Sequence, residues 1–237
     1  MPAGAGSVTV RILPAAPDSS FFIATRIHNI NGKSLHCPRT TNGKRWAGPC
    51  PVCEWLTKLW PQSLHEGPER QAAMQAEYRR CKAVERFYYN CIVRGHEDEG
   101  PKILSIGKSL HSKLILAVVG NTDLNEPPLG DVSDFVKGRD FKIIKTLRGS
   151  GAQTYPNYDQ SKFLEVSATG KSTDTKAWMQ NLHDLAKLRN VKSYEEIAQE
   201  LAEHRGLVPQ FSDSAPGEAS DVEPAGLDDD FVAALSR

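Results

Sequence analysis

Cysteines 37, 50 and 53 fall within seventeen residues, close behind His28 and His36, and no other feature constrains the fold of this 237-residue chain so strongly. Disulfide frameworks in small secreted domains use even numbers of cysteines, whereas here the five cysteines are an odd number and three of them crowd beside histidines, as metal ligands do. The stretch Gly48-Pro-Cys-Pro-Val-Cys53 is a Cys-x-x-Cys knuckle running into an apolar, helical segment from Val52 to Trp60, where backbone amides can face two thiolates and a metal. Cys37 supplies a third sulfur.

Strand geometry bears on the fourth ligand. Asn31-Gly32 between Ile30 and Lys33 is a strong hairpin signal. If Ile30 pairs with Lys33, then Cys37 pairs with Arg26, and His28 becomes a diagonal neighbour of Cys37 on one sheet face. His36, adjacent to Cys37 on a strand, points to the other face. The expected set is His28, Cys37, Cys50 and Cys53 around one structural Zn2+, with His36 as the alternative fourth ligand and ordinary buried thiols as the metal-free alternative. A closed tetrahedral set leaves no position for a substrate water. The same Pro-Cys-x-x-Cys letters occur in zinc nucleobase deaminases, which need a glutamate two residues after the upstream ligand. No glutamate precedes Glu54, so that reading fails and no enzyme is expected.

The remaining pattern fits an α+β fold. Strands are expected at Ser7–Leu13, Phe21–Ile30, Ser34–Cys37, Val84–Arg94, Lys102–Ile106, Phe141–Leu147 and Lys162–Val166, with further helices at Pro68–Lys82 and Lys108–Val119. Ser172 or Thr173 is expected to cap a helix with Trp178, Leu182 and Leu185 inward, and Ser193-Tyr-Glu-Glu196 forms a capping box for another that Gly206 ends. No apolar run nears the roughly 18 residues of a membrane span, and no secretory leader pattern opens the chain. A soluble, unsecreted protein in a reducing cytoplasm is expected.

The zero net charge hides an asymmetry. Positions 212–237 hold seven acidic residues and one basic, which leaves 28 basic and 22 acidic residues in positions 1–211. That division suggests a core for polyanions and an acidic tail, disordered on its composition, that can mimic one. Between Tyr78 and Arg94 five basic residues and four aromatics surround one acid, the interleaving that a phosphate-tracking groove with stacking rings requires. An ordinary strand with core aromatics and solvated charges gives the same letters. Arg86 and Tyr88 share one strand face, Phe87 and Tyr89 the other, and only one set can line a groove. Arg39, Lys44, Arg45 and Trp46 in the knuckle loop, and Tyr155 and Tyr158 after Arg148-Gly-Ser-Gly, place aromatic and basic residues together twice more.

From Ser7 to Ala168 the chain resembles the single-stranded-DNA-binding, helix-destabilising proteins of T-even-type bacteriophages. The resemblance rests on Val8 to Pro14, the Asn31-Gly-Lys hairpin leading to Cys37, Cys50-Pro-Val-Cys53, Arg86 to Val93 and Asn157-Tyr-Asp-Gln-Ser-Lys-Phe-Leu164. It implies an OB-fold β-barrel core interrupted by a zinc subdomain at about 26–83, which with the C-terminal helices read above at about 172–206 makes one domain over 1–211. It also implies sequence-independent binding of single strands in replication, recombination and repair, in the cytoplasm of a bacterial host. The family's stacking aromatics fall on Tyr78, Phe87, Tyr155 and Tyr158, with Tyr88 the alternative to Phe87. Lys44, Arg45, Trp46, Arg79, Arg80, Lys82, Arg86, Lys108 and Arg148 complete the expected contacts. The tail, with Asp228, Asp229, Asp230 and Phe231, resembles the family segment that contacts replication and recombination proteins and limits duplex melting. The family's basic N-terminal arm is reduced to Arg11, so self-association on DNA is expected to be weak. A zinc-stabilised interaction scaffold without a nucleic-acid groove is the competing class.

Overall fold

The computed structural model describes residues 5–41, 45–151 and 154–207. Lys44 and the tail residues Asp228, Asp229, Asp230 and Phe231 lie outside the described residues. The chain is a mixed α+β protein that divides into two compact units, one of residues 1–25 and 85–189 and the other of 26–84 and 190–237. The expected zinc subdomain at about 26–83 falls in the second unit, together with the C-terminal helix.

In the first unit, β1 (Gly6–Ile12), β6 (Val84–Val93), β7 (Lys102–Gly107), β8 (Arg139–Arg148), β9 (Tyr155–Asn157) and β10 (Lys162–Val166) form an antiparallel sheet. β1 lies between β8 and β6, β7 extends β6, and β9 and β10 both pair with β8. Alternation along β1 and β6 sends Val10, Ile12, Phe87, Tyr89 and Cys91 into one apolar cluster with Phe141 and Ile143, covered by Leu110, Leu114 and Ile115 of α3 (Lys108–Val119). On the reverse face Leu13 and Ile92 pack against Trp178 of α4 (Ser172–Gln180).

That reverse face also takes in Arg11, whose residue is wholly buried. Its guanidinium donates to Asp140 Oδ1 at 2.7 Å, Thr169 Oγ1 at 2.9 Å and Ser167 O and Oγ at 2.9 and 2.6 Å, while Arg94 donates to both oxygens of Asp140. Arg11 is therefore a structural residue. Gly138 is required beside it: a Cβ there would stand 2.3 Å from the Asp134 carbonyl oxygen and 2.9 Å from Arg11 Nη1.

In the second unit β2 (Ile23–Ile30), which the chain enters from the first unit, turns back into β3 (Lys33–His36), and β4 (Thr40–Thr41) pairs with β5 (Trp46–Ala47). Asn31 and Gly32 both take positive φ, 52° and 73°, the turn whose twist matches that of paired strands. Then come α1 (Pro51–Ser63), α2 (Pro68–Cys81) and α5 (Tyr194–Leu207). Proline opens both α1 and α2, where a missing N–H costs nothing. Leu56 and Leu59 of α1, Met74 and Cys81 of α2, and Ile197 and Leu201 of α5 close over Ile30 and Leu35.

Three local expectations are corrected. The N-cap of α4 is Lys171, without a side-chain cap, instead of Ser172 or Thr173. Leu185 belongs to a separate turn, Leu185–Leu188, because Asn90 clamps His183 through both its backbone N–H and C=O at 2.9 and 3.0 Å and holds that segment against β6. α5 runs through Gly206, which was expected to end it, to Leu207. The capping box of α5 forms as read: Ser193 N–H donates to Glu196 Oε2 at 2.8 Å and Glu196 N–H to Ser193 Oγ at 3.2 Å.

Candidate functional site

The hairpin register is Ile30 with Lys33, His28 with Leu35 and Ile27 with His36, and Cys37 N–H donates to the Arg26 carbonyl at 2.8 Å. His28 and Cys37 therefore share a face, and the ligand atoms of His28, Cys37, Cys50 and Cys53 all lie within 4.8 Å of one another. His36 pairs with Ile27, outside this group. His28 Nε2 stands 3.6 Å from Cys50 Sγ and 3.5 Å from Cys53 Sγ, and Cys37 Sγ is 3.8 Å from Cys53 Sγ. A tetrahedron built on metal–sulfur and metal–nitrogen bonds of ordinary zinc length has edges of about 3.8 Å between sulfurs and about 3.5 Å between sulfur and nitrogen. The spacing fits one metal ion.

The surroundings hold these atoms in place. His28 Nδ1–H donates to the Cys81 carbonyl at the end of α2, at 2.8 Å, which turns Nε2 toward the sulfurs. Cys50 N–H donates to Glu54 Oε1 at 3.0 Å, and the Tyr194 hydroxyl of α5 donates to Glu54 Oε2 at 2.7 Å, so α5 braces the knuckle. His28, Cys37 and Cys50 are buried. Burial opposes a charge on His28, yet hydrogen bonds with Cys37, Cys50 and the Cys81 carbonyl outweigh it and raise its pKa to about 9 without metal. Hydrogen bonds from Cys37 and Cys53 hold Cys50 low, so the cluster favours a thiolate beside an imidazolium, from which a metal displaces the proton.

In the first unit the expected contact residues are spread over β6, α3 and the β8–β9 hairpin. Phe87 is buried, its ring stacked on His111 with centroids 3.5 Å apart and planes 5° apart. Tyr88 is half-buried on the opposite face of β6, in register with Ser105, and its face neighbour Arg86 is exposed. Burial lowers the His111 pKa to about 4, so this imidazole stays neutral and accepts from the Tyr89 hydroxyl at 2.6 Å. Lys108 and Arg148 are exposed, as is Tyr155 at 55%.

Tyr158 packs partly into the core and lines a cavity of about 240 Å³ with Leu110, Pro156, Asn157, Ser109 and Lys113. Lys113 donates to the Asp159 carbonyl, and Arg148 lies 3.3 Å from the Asp159 carboxylate. The cavity is smaller than the roughly 300–1,000 Å³ of small-molecule pockets; Leu110, Pro156 and the Tyr158 ring give it apolar surface, while Lys113 and Asp159 put charges of both signs on its lining. Lys113, Ser109 and Asn157 were not among the expected contacts. They sit within five residues of Lys108 or Tyr158 in the sequence, and the packing of α3 against the β9 region brings them together.

In the second unit Trp46 is half-buried with the Arg26 guanidinium 5.5 Å from its ring centroid, so packing explains a ring that the sequence placed among exposed cations. Arg45 and Lys82 are exposed. Tyr78 is half-buried against Trp60, centroids 4.9 Å apart. Arg79 contacts Gln75 at 3.3 Å, and Arg80 pairs with Glu77 at 2.5 Å.

The chain thus combines an antiparallel sheet presenting tyrosine, lysine and arginine side chains with a cluster of one histidine and three cysteines that could hold a metal ion. Residues 4–204 match the family described as gp32 DNA binding protein like, and the chain belongs to that family. It is similar to the single-stranded DNA-binding protein of Enterobacteria phage T2, 25% identical over 249 residues that cover 96% of this chain and 77% of that relative. It is also similar to the single-stranded DNA-binding protein of Enterobacteria phage T4, 27% identical over 211 residues, 82% of this chain and 64% of that relative. The chain thus spans a little under two thirds of the T4 relative's length.

Proposed function

We propose that this protein binds single-stranded DNA without sequence preference in phage replication, and in the recombination and repair that use the same strands, inside the infected bacterial cell. The observation that carries the reading is the cavity walled by Tyr158 and rimmed by Lys113, with Tyr155, Arg148 and Lys108 exposed in the same unit. Flat rings accept any base, and cations along a backbone track release condensed counterions. The second unit adds Arg45, Lys82 and Tyr78 of its own. We read the sheet of the first unit as an OB-fold core and the cluster of His28, Cys37, Cys50 and Cys53 as a structural zinc site, since borderline nitrogen and sulfur donors in a closed tetrahedral array suit Zn2+. Zinc bound there would tie the β2–β3 hairpin to the start of α1. Nothing in this reading calls for catalysis. The acidic residues 212–237 are proposed to recruit replication and recombination proteins, and weak self-association along the strand is proposed as well.

Two substitutions test the groove. Tyr158→Ala is expected to weaken oligo-dT binding by about 1–3 kcal/mol, the usual contribution of one stacking ring. Lys108→Ala is expected to weaken binding equally for all sequences and to reduce the slope of log K against log salt by about 0.7. Fluorescence anisotropy across a salt series reads both. Unchanged affinity and slope in both variants would remove this surface from the binding site.

A further inference from the structure

A second cluster of metal-ligating side chains lies in the zinc-type unit and shares none of the first four ligands. Glu77 and Cys81 stand one helical turn apart on α2, and His204 reaches them from α5; the ligand atoms of the three lie within 4.8 Å of one another. All three residues are buried, at 7%, 0% and 1% exposure. Cys81 Sγ is 3.6 Å from His204 Nε2, the edge expected of sulfur and nitrogen on one tetrahedral ion, which is about 3.5 Å at ordinary zinc bond lengths. Cys81 Sγ is 3.1 Å from Glu77 Oε1, and that same oxygen contacts His204 Nε2; both are hydrogen-bond contacts closer than the tetrahedral edges of about 3.5 and 3.3 Å, so an ion entering here displaces the shared protons and moves the Glu77 carboxylate outward.

The orientation of His204 is an independent pointer. Its Nδ1 is held by the Asn31 side-chain oxygen at 2.6 Å, so the ring is fixed from behind, and Nε2 is directed at the carboxylate and the sulfur. An outer hydrogen bond that fixes one ring nitrogen and aims the other is the usual support of a metal-bound histidine. Arg80 is the cation that reaches these groups, its Nη2 2.5 Å from Glu77 Oε2 and 3.4 Å from His204 Nε2. Its side chain is 54% exposed and can leave toward solvent when a metal replaces its charge.

We propose that Glu77, Cys81 and His204 form a second binding site for a divalent ion of zinc type, distinct from the His28 cluster. Three protein ligands of mixed oxygen, sulfur and nitrogen character leave a fourth position for water, and the bound ion crosslinks α2 to α5. Since α5 also braces the knuckle through Tyr194 and Glu54, metal at the second site steadies the first from outside its ligand set.

The test is metal content of the full chain after saturation with Zn2+ and removal of free ion, with Co2+ absorption as a second readout. Two ions per chain are expected for the wild type and one for His204→Gln and for Glu77→Gln, with the strong thiolate-to-Co2+ charge-transfer band of the three-cysteine site kept in both variants. Amide exchange along α5 should slow on adding the second equivalent. One ion per chain in the wild type, or two in both variants, would overturn the proposal. If a variant fails to fold, the wild-type stoichiometry and the α5 exchange decide it.

Discussion

Cys50→Ser is expected to abolish tight metal binding at the four-ligand cluster and to melt the second unit well below the wild type. The cluster joins a short hairpin, a loop and the first turn of α1 at the centre of the apolar core of this unit, with Cys37 and Cys50 wholly buried among Ile30, Val52 and Leu56. Structural zinc in small modules contributes apparent binding free energies of about 10–16 kcal/mol, which is folding free energy where the site does not exist in the unfolded chain. Losing one thiolate is therefore expected to cost several kcal/mol of that, and to leave His28 and Cys37 buried, with Cys53 half-buried beside them, without the ion that offsets their desolvation. Near-UV circular dichroism melts with and without a chelator check this. Cys91→Ser, buried in the first unit and outside both ligand clusters, is the control and should retain the metal. Equal melting of Cys50→Ser and wild type, with metal content unchanged, would refute the ligand assignment.

The second large effect is expected in the other unit. Arg11→Met removes a fully buried guanidinium from between β1, Asp140, Ser167 and Thr169. Methionine fills much of the volume, but the Ser167 carbonyl and the Thr169 hydroxyl lose their donor, and Asp140 keeps only Arg94. Breaking a buried, hydrogen-bonded ion pair by removing one partner costs about 3–5 kcal/mol. Urea unfolding should show the midpoint of the first unit falling accordingly, with the slope unchanged. A loss below about 1 kcal/mol, typical of exposed ion pairs, would mean the network contributes little.

Local chemistry made part of this structure legible from the sequence. The Asn31-Gly32 turn sets the hairpin register, the register sets which histidine shares a face with Cys37, and the geometry around Cys50 follows from two prolines and a helix start. α3 and the capping box of α5 were readable for the same reason, since their signals span a few residues. What escaped depends on residues far apart in sequence. Arg11 meets its partners 129 to 158 positions away. Asn90 interrupts the run from Trp178 to Leu185 across 93 positions, and His204 meets Cys81 across 123. Periodicity carries no information about such pairs. The choice between Phe87 and Tyr88 was open because a strand shows two faces and the pattern does not say which one α3 covers. The structure puts Phe87 under α3 and Tyr88 on the face with Arg86.

The central claim is that this chain holds single-stranded DNA on aromatic and cationic side chains. Titrating the metal-loaded protein with oligo-dT, and separately with duplex DNA of equal length, while following intrinsic tyrosine and tryptophan fluorescence, tests it most directly. The account predicts strong quenching by the single strand, a weak response to the duplex and a steep loss of affinity as salt rises. Absence of quenching by oligo-dT at low salt, from protein that retains its metal, would contradict it.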